Sequence, residues 1–224
     1  MEVGSPEWKE VIRSGALQLG ISLEAAVLDQ FALHAAELLR WNRRMNLTAV
    51  TDPLAVAVKH YIDSIAPAEH VPCQARMLDL GSGGGFPGIP LQILMPTLHV
   101  TLVESSRKKA SFLKHAARRL ALEQLKILEM RAEELPTAEI GYGFDLIVCR
   151  ALASLERFFA MALPLAASGT RLLAWKGKLP GDELNRGIGY LQTAAKLTSK
   201  DVSVQKFTLP VFAETRNLVI VTLP

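Results

Sequence analysis

Cysteine is nearly missing from this chain: Cys73 and Cys149 are the only two among 224 residues. Two thiols so far apart build no disulfide framework and lack the spacing of a metal site, so they read as buried, reduced side chains. No His/Asp cluster has ligand spacing either, and no metal is expected. Long apolar runs are missing too. No stretch approaches the roughly 18 uninterrupted apolar residues of a membrane span. The opening MEVGSPEWKEVIRSG has neither the basic nor the apolar region of a secretory signal. A membrane partner is therefore not expected, and the cytoplasm is the expected location. Low-complexity tracts are absent as well. Half of the residues are apolar and 21% are charged, the composition of a globular protein with a sizeable core. The length suits one large domain, or one domain with a modest extension.

Neither sign of charge dominates, at +3 overall, but the distribution is uneven. Glu104 to Leu120 sets six basic residues against one acid, while Glu123 to Asp145 sets six acids, Glu139 among them, against two bases. Arg171 to Lys200 is basic again. Such a surface could meet a polyanion on one side; solvated helix faces would give the same pattern.

The first 70 residues read as helical. Apolar residues at Val27, Phe31, Ala35, Leu38 and Met45 form one stripe of a helix over Leu23–Met45, with Ser22 as its cap. A second helix is expected from Asp52 to Ala66, with Thr51 or Asp52 as cap and Pro53 in its first turn. From Ala75 the period changes. Short apolar strands at Met77–Leu80, His99–Glu104, Leu125–Met130, Phe144–Cys149 and Thr170–Trp175 alternate with helices at Ile89–Met95, Ser106–Leu122 and Leu155–Ala167. A helix through Leu184–Leu197 precedes strands at Val202–Thr208 and Asn217–Leu223, whose short connection suggests an antiparallel hairpin. The expected organisation is a helical extension over residues 1–70, packed on an α/β domain over 71–224. That domain holds a mostly parallel, doubly wound sheet with ligands at the carboxyl ends of its strands.

The stretch MLDLGSGGGFPGIPL, Met77 to Leu91, sits at such an end. Gly81, Gly83, Gly84 and Gly85 let a ligand approach bare backbone, and Pro87 suits the first turn of the next helix. Two familiar loops are missing here. The dinucleotide fingerprint wants a third glycine where Phe86 stands, and a P-loop wants a lysine that is not there. What stands is D-x-G-x-G-x-G from Asp79 to Gly85, which resembles the first motif of the class I methyltransferases that bind S-adenosylmethionine. Glu104 ends the next strand, where an acid can take hydrogen bonds from both ribose hydroxyls. Asp79 is a candidate for the cofactor's ammonium through water. A strand-end surface carboxylate is the bland alternative for Glu104.

Further stretches match one family in order. GSGGGFPGIPL (Gly81–Leu91) resembles the cofactor loop of the RsmG (GidB) methyltransferases. WNRRMNLTAV (Trp41–Val50) and KHYIDS (Lys59–Ser64) resemble that family's helical extension. RAEEL, FDLIVCRALASL (Phe144–Leu155), AWKGK and ETRNLVIV follow in register. The resemblance implies a Rossmann-like class I fold with a seven-stranded sheet and a terminal hairpin. It also implies methylation of N7 of a guanine in bacterial 16S ribosomal RNA near the decoding region. It places cofactor contacts at Gly81 and Phe86, at Ala132 and Glu133 after the third strand, and at Arg150 after the fourth; Gly83, in the same glycine turn, is a further cofactor candidate.

N7 offers an in-plane lone pair and loses no proton, so no general base is needed. Catalysis then rests on orientation, and Arg150 is assigned an orienting role. Cys149 reads as packing, since no Pro-Cys motif surrounds it, and the Asn-Pro-Pro-Tyr motif of amino-methylating enzymes is absent. Arg107, Lys108, Lys109, Lys176, Lys178 and Arg216 are the candidates for RNA phosphate contact, probing a substrate expected within a ribosomal particle. Trp41 reads as helix packing rather than a base-stacking platform. His60 and Asp63 read either as a catalytic pair or as a structural hydrogen bond. Two other functions compete: an NAD-dependent oxidoreductase, and a catalytically inactive ribosome-assembly or RNA-binding factor.

Overall fold

The computed structural model describes residues 1–135, 143–151 and 154–224; Leu152 and Ala153 of the FDLIVCRALASL stretch and Glu139 of the acidic segment lie outside them. Five strands run parallel: β1 (Arg76–Leu80), β2 (His99–Val103), β3 (Leu125–Leu128), β4 (Phe144–Arg150) and β5 (Ala166–Lys176). Two more, β6 (Val202–Thr208) and β7 (Thr215–Thr222), form the expected antiparallel hairpin. The spatial order is β3-β2-β1-β4-β5-β7-β6. Chain direction through the sheet reverses between β1 and β4, so their carboxyl ends open a crevice there.

Alternate residues along each strand point to opposite faces, and the apolar ones supply two separate cores. Met77, Leu146, Val148 and Leu173 pack with Trp8, Phe31, Tyr61 and Phe112 on one face. Leu78, Leu80, Ile147 and Leu172 pack with Phe158, Phe159 and Leu191 on the other. The first face is covered by α1 (Pro6–Gln18), α2 (Ala25–Asn42), α5 (Gly88–Leu94) and α6 (Arg107–Arg119), the second by α7 (Leu155–Ala162) and α8 (Gly181–Ala195). The N-terminal helices thus share one apolar core with the sheet.

Several elements depart from the sequence expectation for identifiable reasons. Helix α2 starts at Ala25 with Glu24 at its cap position, because Ser22 stands too far upstream to reach the first-turn N–H groups. It ends at Asn42, not Met45: the Asn42 Oδ1 accepts from Leu47 N at 2.8 Å and Thr48 N at 3.0 Å, folding the chain back on itself. The expected helix over 52–66 comprises α3 (Pro53–Val56), a π-helical stretch Ala57–Ile62 and α4 (Asp63–Ile65), with Asp52 Oδ2 capping Ala55 N at 2.8 Å. Helix α7 stops at Ala162, since Pro164 cannot continue it, and β5 begins already at Ala166. Cys73 is exposed in the turn before β1, contrary to expectation, whereas Cys149 is buried.

Candidate cofactor and catalytic site

The glycine turn leaves β1 held by its neighbour strand. Gly81 N and Ser82 N both donate to Val103 O, at 2.9 and 3.1 Å, and Gly81 reaches this geometry at φ +75°. Glu104 then closes the turn from the side: its Oε2 accepts from Gly83 N at 3.0 Å and its Oε1 from Ser106 N at 2.8 Å. These are charge-assisted bonds, the stronger class. Asp79 lies fully buried beneath, with Oδ2 accepting from Gly88 N at 3.0 Å as α5 begins. Its Oδ1 is buried without a partner. Burial pushes the Asp79 carboxyl up to about 7, opposed by the Gly88 hydrogen bond and the charge of Arg150.

A cavity of about 300 Å³ opens beside this turn, lined by Gly81, Glu104, Lys109, Ala132, Glu133 and Ala151 among others. Four residues expected at the cofactor, Gly81, Glu104, Ala132 and Glu133, therefore come together. Gly83 contributes by fixing Glu104. Lys109 is also brought here, not to an outer phosphate-facing surface. Arg157 lines the same cavity and holds Glu133 at 3.1 Å, a role without any local sequence signal. Ser105 was signalled only by its place after Glu104. The donor set fits a ribose: Glu104 is immobilised as an acceptor for hydroxyl donors. Two carboxylates, Glu104 and Glu133, oppose a pyrophosphate and tolerate a sulfonium cation.

Phe86 and Arg150 belong to a different cluster. The Phe86 ring stacks on His60 at 4.4 Å and 16°, and the Arg150 guanidinium lies 5.0 Å from the Phe86 centroid. Arg150 donates to Lys59 O at 2.9 Å, to Asp63 Oδ2 at 3.0 Å and to His60 Nδ1 at 3.1 Å. Its side chain is 14% exposed. Both the Phe86 ring and the Arg150 guanidinium thus face the N-terminal helices, not the cofactor cavity. His60 and Asp63 are joined through Arg150, and neither sequence reading of them as a directly bonded pair describes this geometry. A guanidinium only donates, so His60 accepts at Nδ1 and its Nε2–H donates to Thr48 Oγ1 at 2.9 Å. Burial first, then Arg150 and His34, lower His60 to about 3. Burial raises Asp63, opposed by Arg150 and Arg216.

The six cations expected at RNA separate cleanly. Arg107, Lys108 and Lys178 are exposed. Lys176 faces Glu183 at 2.7 Å, and Arg216 faces Asp63 at 3.3 Å and Glu214 at 2.9 Å. Lys176 and Arg216 thus have their charges met by carboxylates of the fold. Burial pushes the Cys149 thiol far up, which leaves it a packing group.

The chain matches the family model for rRNA small subunit methyltransferase G over residues 27–218. It is 40% identical to the ribosomal RNA small subunit methyltransferase G of Geotalea uraniireducens, covering 95% of each chain. It is 38% identical to that of Halalkalibacterium halodurans, covering 90% of this chain and 85% of the relative. Among solved structures, an O-methyltransferase from Bacillus cereus in complex with SAH superposes with a TM-score of 0.59 at 17% identity, over 96% of this chain and 98% of that one. The fold is shared with that enzyme, and by sequence this chain belongs to the rRNA small subunit methyltransferase G family.

Proposed function

We propose that this protein transfers the methyl group of S-adenosylmethionine to N7 of a guanine in 16S ribosomal RNA, within a small ribosomal particle. One observation carries the reading: the Glu104 carboxylate, clamped by Gly83 N and Ser106 N, faces a cavity bounded by Gly81, Ala132 and Glu133. Membership of a family whose relatives are named for the small-subunit RNA supports the target.

When bound, the cofactor supplies a sulfonium methyl group. Glu104 would accept from its ribose hydroxyls, and Gly81, at φ +75°, would offer bare backbone to it. Ala132 and Glu133 frame the adenine. Asp79 acts from below, fixing the start of α5 through Gly88 N. N7 would bond the methyl carbon with its own lone pair as the carbon–sulfur bond breaks and S-adenosylhomocysteine leaves; no proton is lost, so the site must orient and exclude water rather than abstract. His60, neutral with both nitrogens engaged, and Cys149, held as a thiol, suit a site without base chemistry. Arg150 is a positioning residue: it ties Lys59 and Asp63 to Phe86, and so holds the helical extension against the glycine turn. Arg107, Lys108 and Lys178 are the phosphate contacts. Among the described residues no helix is long and apolar enough to cross a membrane. Modification of ribosomal particles places the protein in the cytoplasm.

The test is transfer of labelled methyl from S-adenosylmethionine to small subunits lacking the modification, and to naked 16S RNA, followed by nucleoside analysis. Label in 7-methylguanosine is expected. Label in another nucleoside overturns the target, and cofactor binding with no transfer to either substrate overturns the activity.

A further inference from the structure

We propose that the carboxyl end of α2 and the loop after it form a second nucleotide-binding surface, which grips the RNA strand beside the target base. The inference rests on the methyltransferase reading, from which it takes RNA as the polyanion.

A cavity of about 520 Å³ lies here, lined by Arg40, Trp41, Arg43, Arg44 and Met45. It is distinct from the cofactor cavity, with which it shares no lining residue. Arg43 and Arg44 are exposed. Among the described residues neither guanidinium has an ion pair or a hydrogen bond. The other basic side chains nearby are committed: Arg40 pairs with Glu37, as does Arg119 at 3.4 Å, and the His115 ring meets the same carboxylate at 3.0 Å. Trp41 rests on Phe112 and His115, at 5.8 and 5.0 Å between centroids, and remains half-buried at the cavity wall. An indole flanked by unpaired guanidiniums is the combination that stacks a base and pairs its phosphate.

The display is built, not incidental. Asn42 holds the loop shut: besides accepting from Leu47 N and Thr48 N, its Nδ2 donates to Thr48 O at 2.9 Å. Thr48 Oγ1 in turn meets His60, which meets Arg150. The basic loop is thus fixed to the cluster that positions the glycine turn.

Its location also fits. Glu37 lies against His115 and Arg119, whereas Trp41 lies against Phe112 and His115, so α2 and α6 run antiparallel. Moving outward along α2 therefore approaches the start of α6, roughly 7 Å beyond Phe112. Exposed Arg107 and Lys108 stand there, next to Lys109 at the cofactor cavity. The Arg43–Arg44 loop thus lies toward the same end of α6 as Arg107, Lys108 and Lys109.

The test compares full-length protein, loaded with S-adenosylhomocysteine, with its Arg43→Ala/Arg44→Ala and Trp41→Leu variants. Affinity for naked 16S RNA is measured from 50 to 200 mM salt. The double variant is expected to bind about tenfold more weakly at the lower salt, with a log–log salt slope shallower by about 1.5. Trp41→Leu should weaken binding about tenfold with an unchanged slope. Cofactor affinity should stay the same throughout, and Arg118→Ala, at the exposed far end of α6, should change nothing. Arg43 and Arg44 are exposed, so the double variant carries the test if Trp41→Leu does not fold. Unchanged affinity and slope in the double variant overturn the surface, even if the wild type methylates RNA. Weaker binding to assembled subunits with unchanged binding to naked RNA also overturns it, in favour of a ribosomal protein partner. If the slope falls as expected but the wild type transfers no methyl, the surface stands and the activity reading fails.

Discussion

Glu104 and Arg150 are both charged residues at strand ends, yet they do different work. Glu104 is fixed by two backbone N–H groups before any ligand arrives. Glu104→Ala should weaken cofactor binding by tenfold or more in titration calorimetry, because a hydrogen bond to a charged group contributes about 1.5–3 kcal/mol. Glu104→Gln keeps the shape and should fall between. Arg150 is packed inside the fold against Asp63, and Arg150→Ala leaves that carboxylate buried beside Arg216 alone. A loss of about 3–5 kcal/mol is expected in chemical denaturation. Asp63→Asn in the same background should restore part of it. The position of both residues was legible in the sequence, since each follows an apolar strand. The partners of Arg150 were not: Lys59, His60 and Asp63 lie on a distant segment, and no local pattern marks which carboxylate will face a given guanidinium. The acidic partners of Lys176 and Arg216 are hidden from the sequence in the same way.

Strands and helices were legible wherever burial sets the period. The span of β6 is as read, Val202–Thr208, and all seven strands were found. Missed features share a cause in single interactions rather than periodicity: the Asn42 side chain that ends α2, the proline that ends α7, and the π-helical widening over Ala57–Ile62. That widening is short, and a few residues cannot reveal a departure from 3.6 per turn. Where α5 meets the sheet, the constraint is spatial. A Cβ on Gly88 would stand 2.4 Å from Leu102 Cδ2 and 2.8 Å from Asp79 Oδ2. Gly88→Ala should destabilise by about 1–3 kcal/mol and weaken cofactor binding, as α5 is forced off β1 and β2. Gly177→Ala meets nothing within 4 Å and should shift the unfolding midpoint negligibly.

At the scale of the molecule, buried titratable groups shape how stability follows pH. His34 and His60 are lowered from 6.5 to about 3, both chiefly by burial. Between those values the unfolded chain binds more protons, so these histidines cost stability as pH falls. Asp79 is raised from 3.8 to about 7, so between those values the folded chain binds more protons and stability falls as pH rises. Burial raises Asp63 in the same sense as Asp79, but the carboxyls of Glu37, Glu133, Asp201 and Glu214 are lowered and, like the two histidines, cost stability as pH falls. The denaturation midpoint should therefore drop from pH 6 to pH 4. Asp79→Asn should steepen that drop, and His60→Asn should make it shallower.

The strand order carries one more consequence. β7 comes last in the chain but lies inside the sheet, between β5 and β6. It carries Arg216 to Asp63, and Asn217 Nδ2 to Gly177 O at 2.6 Å. During translation the strands around the cofactor cavity leave the ribosome first. A nascent chain halted before Thr215 has those strands, an uncovered edge at β5 and an unfinished charge cluster around Asp63. The partners of Arg150 on the N-terminal segment and the residues lining the cofactor cavity all precede the hairpin in the chain; only the contacts of β7, Arg216 to Asp63 and Asn217 to Gly177, must wait for it.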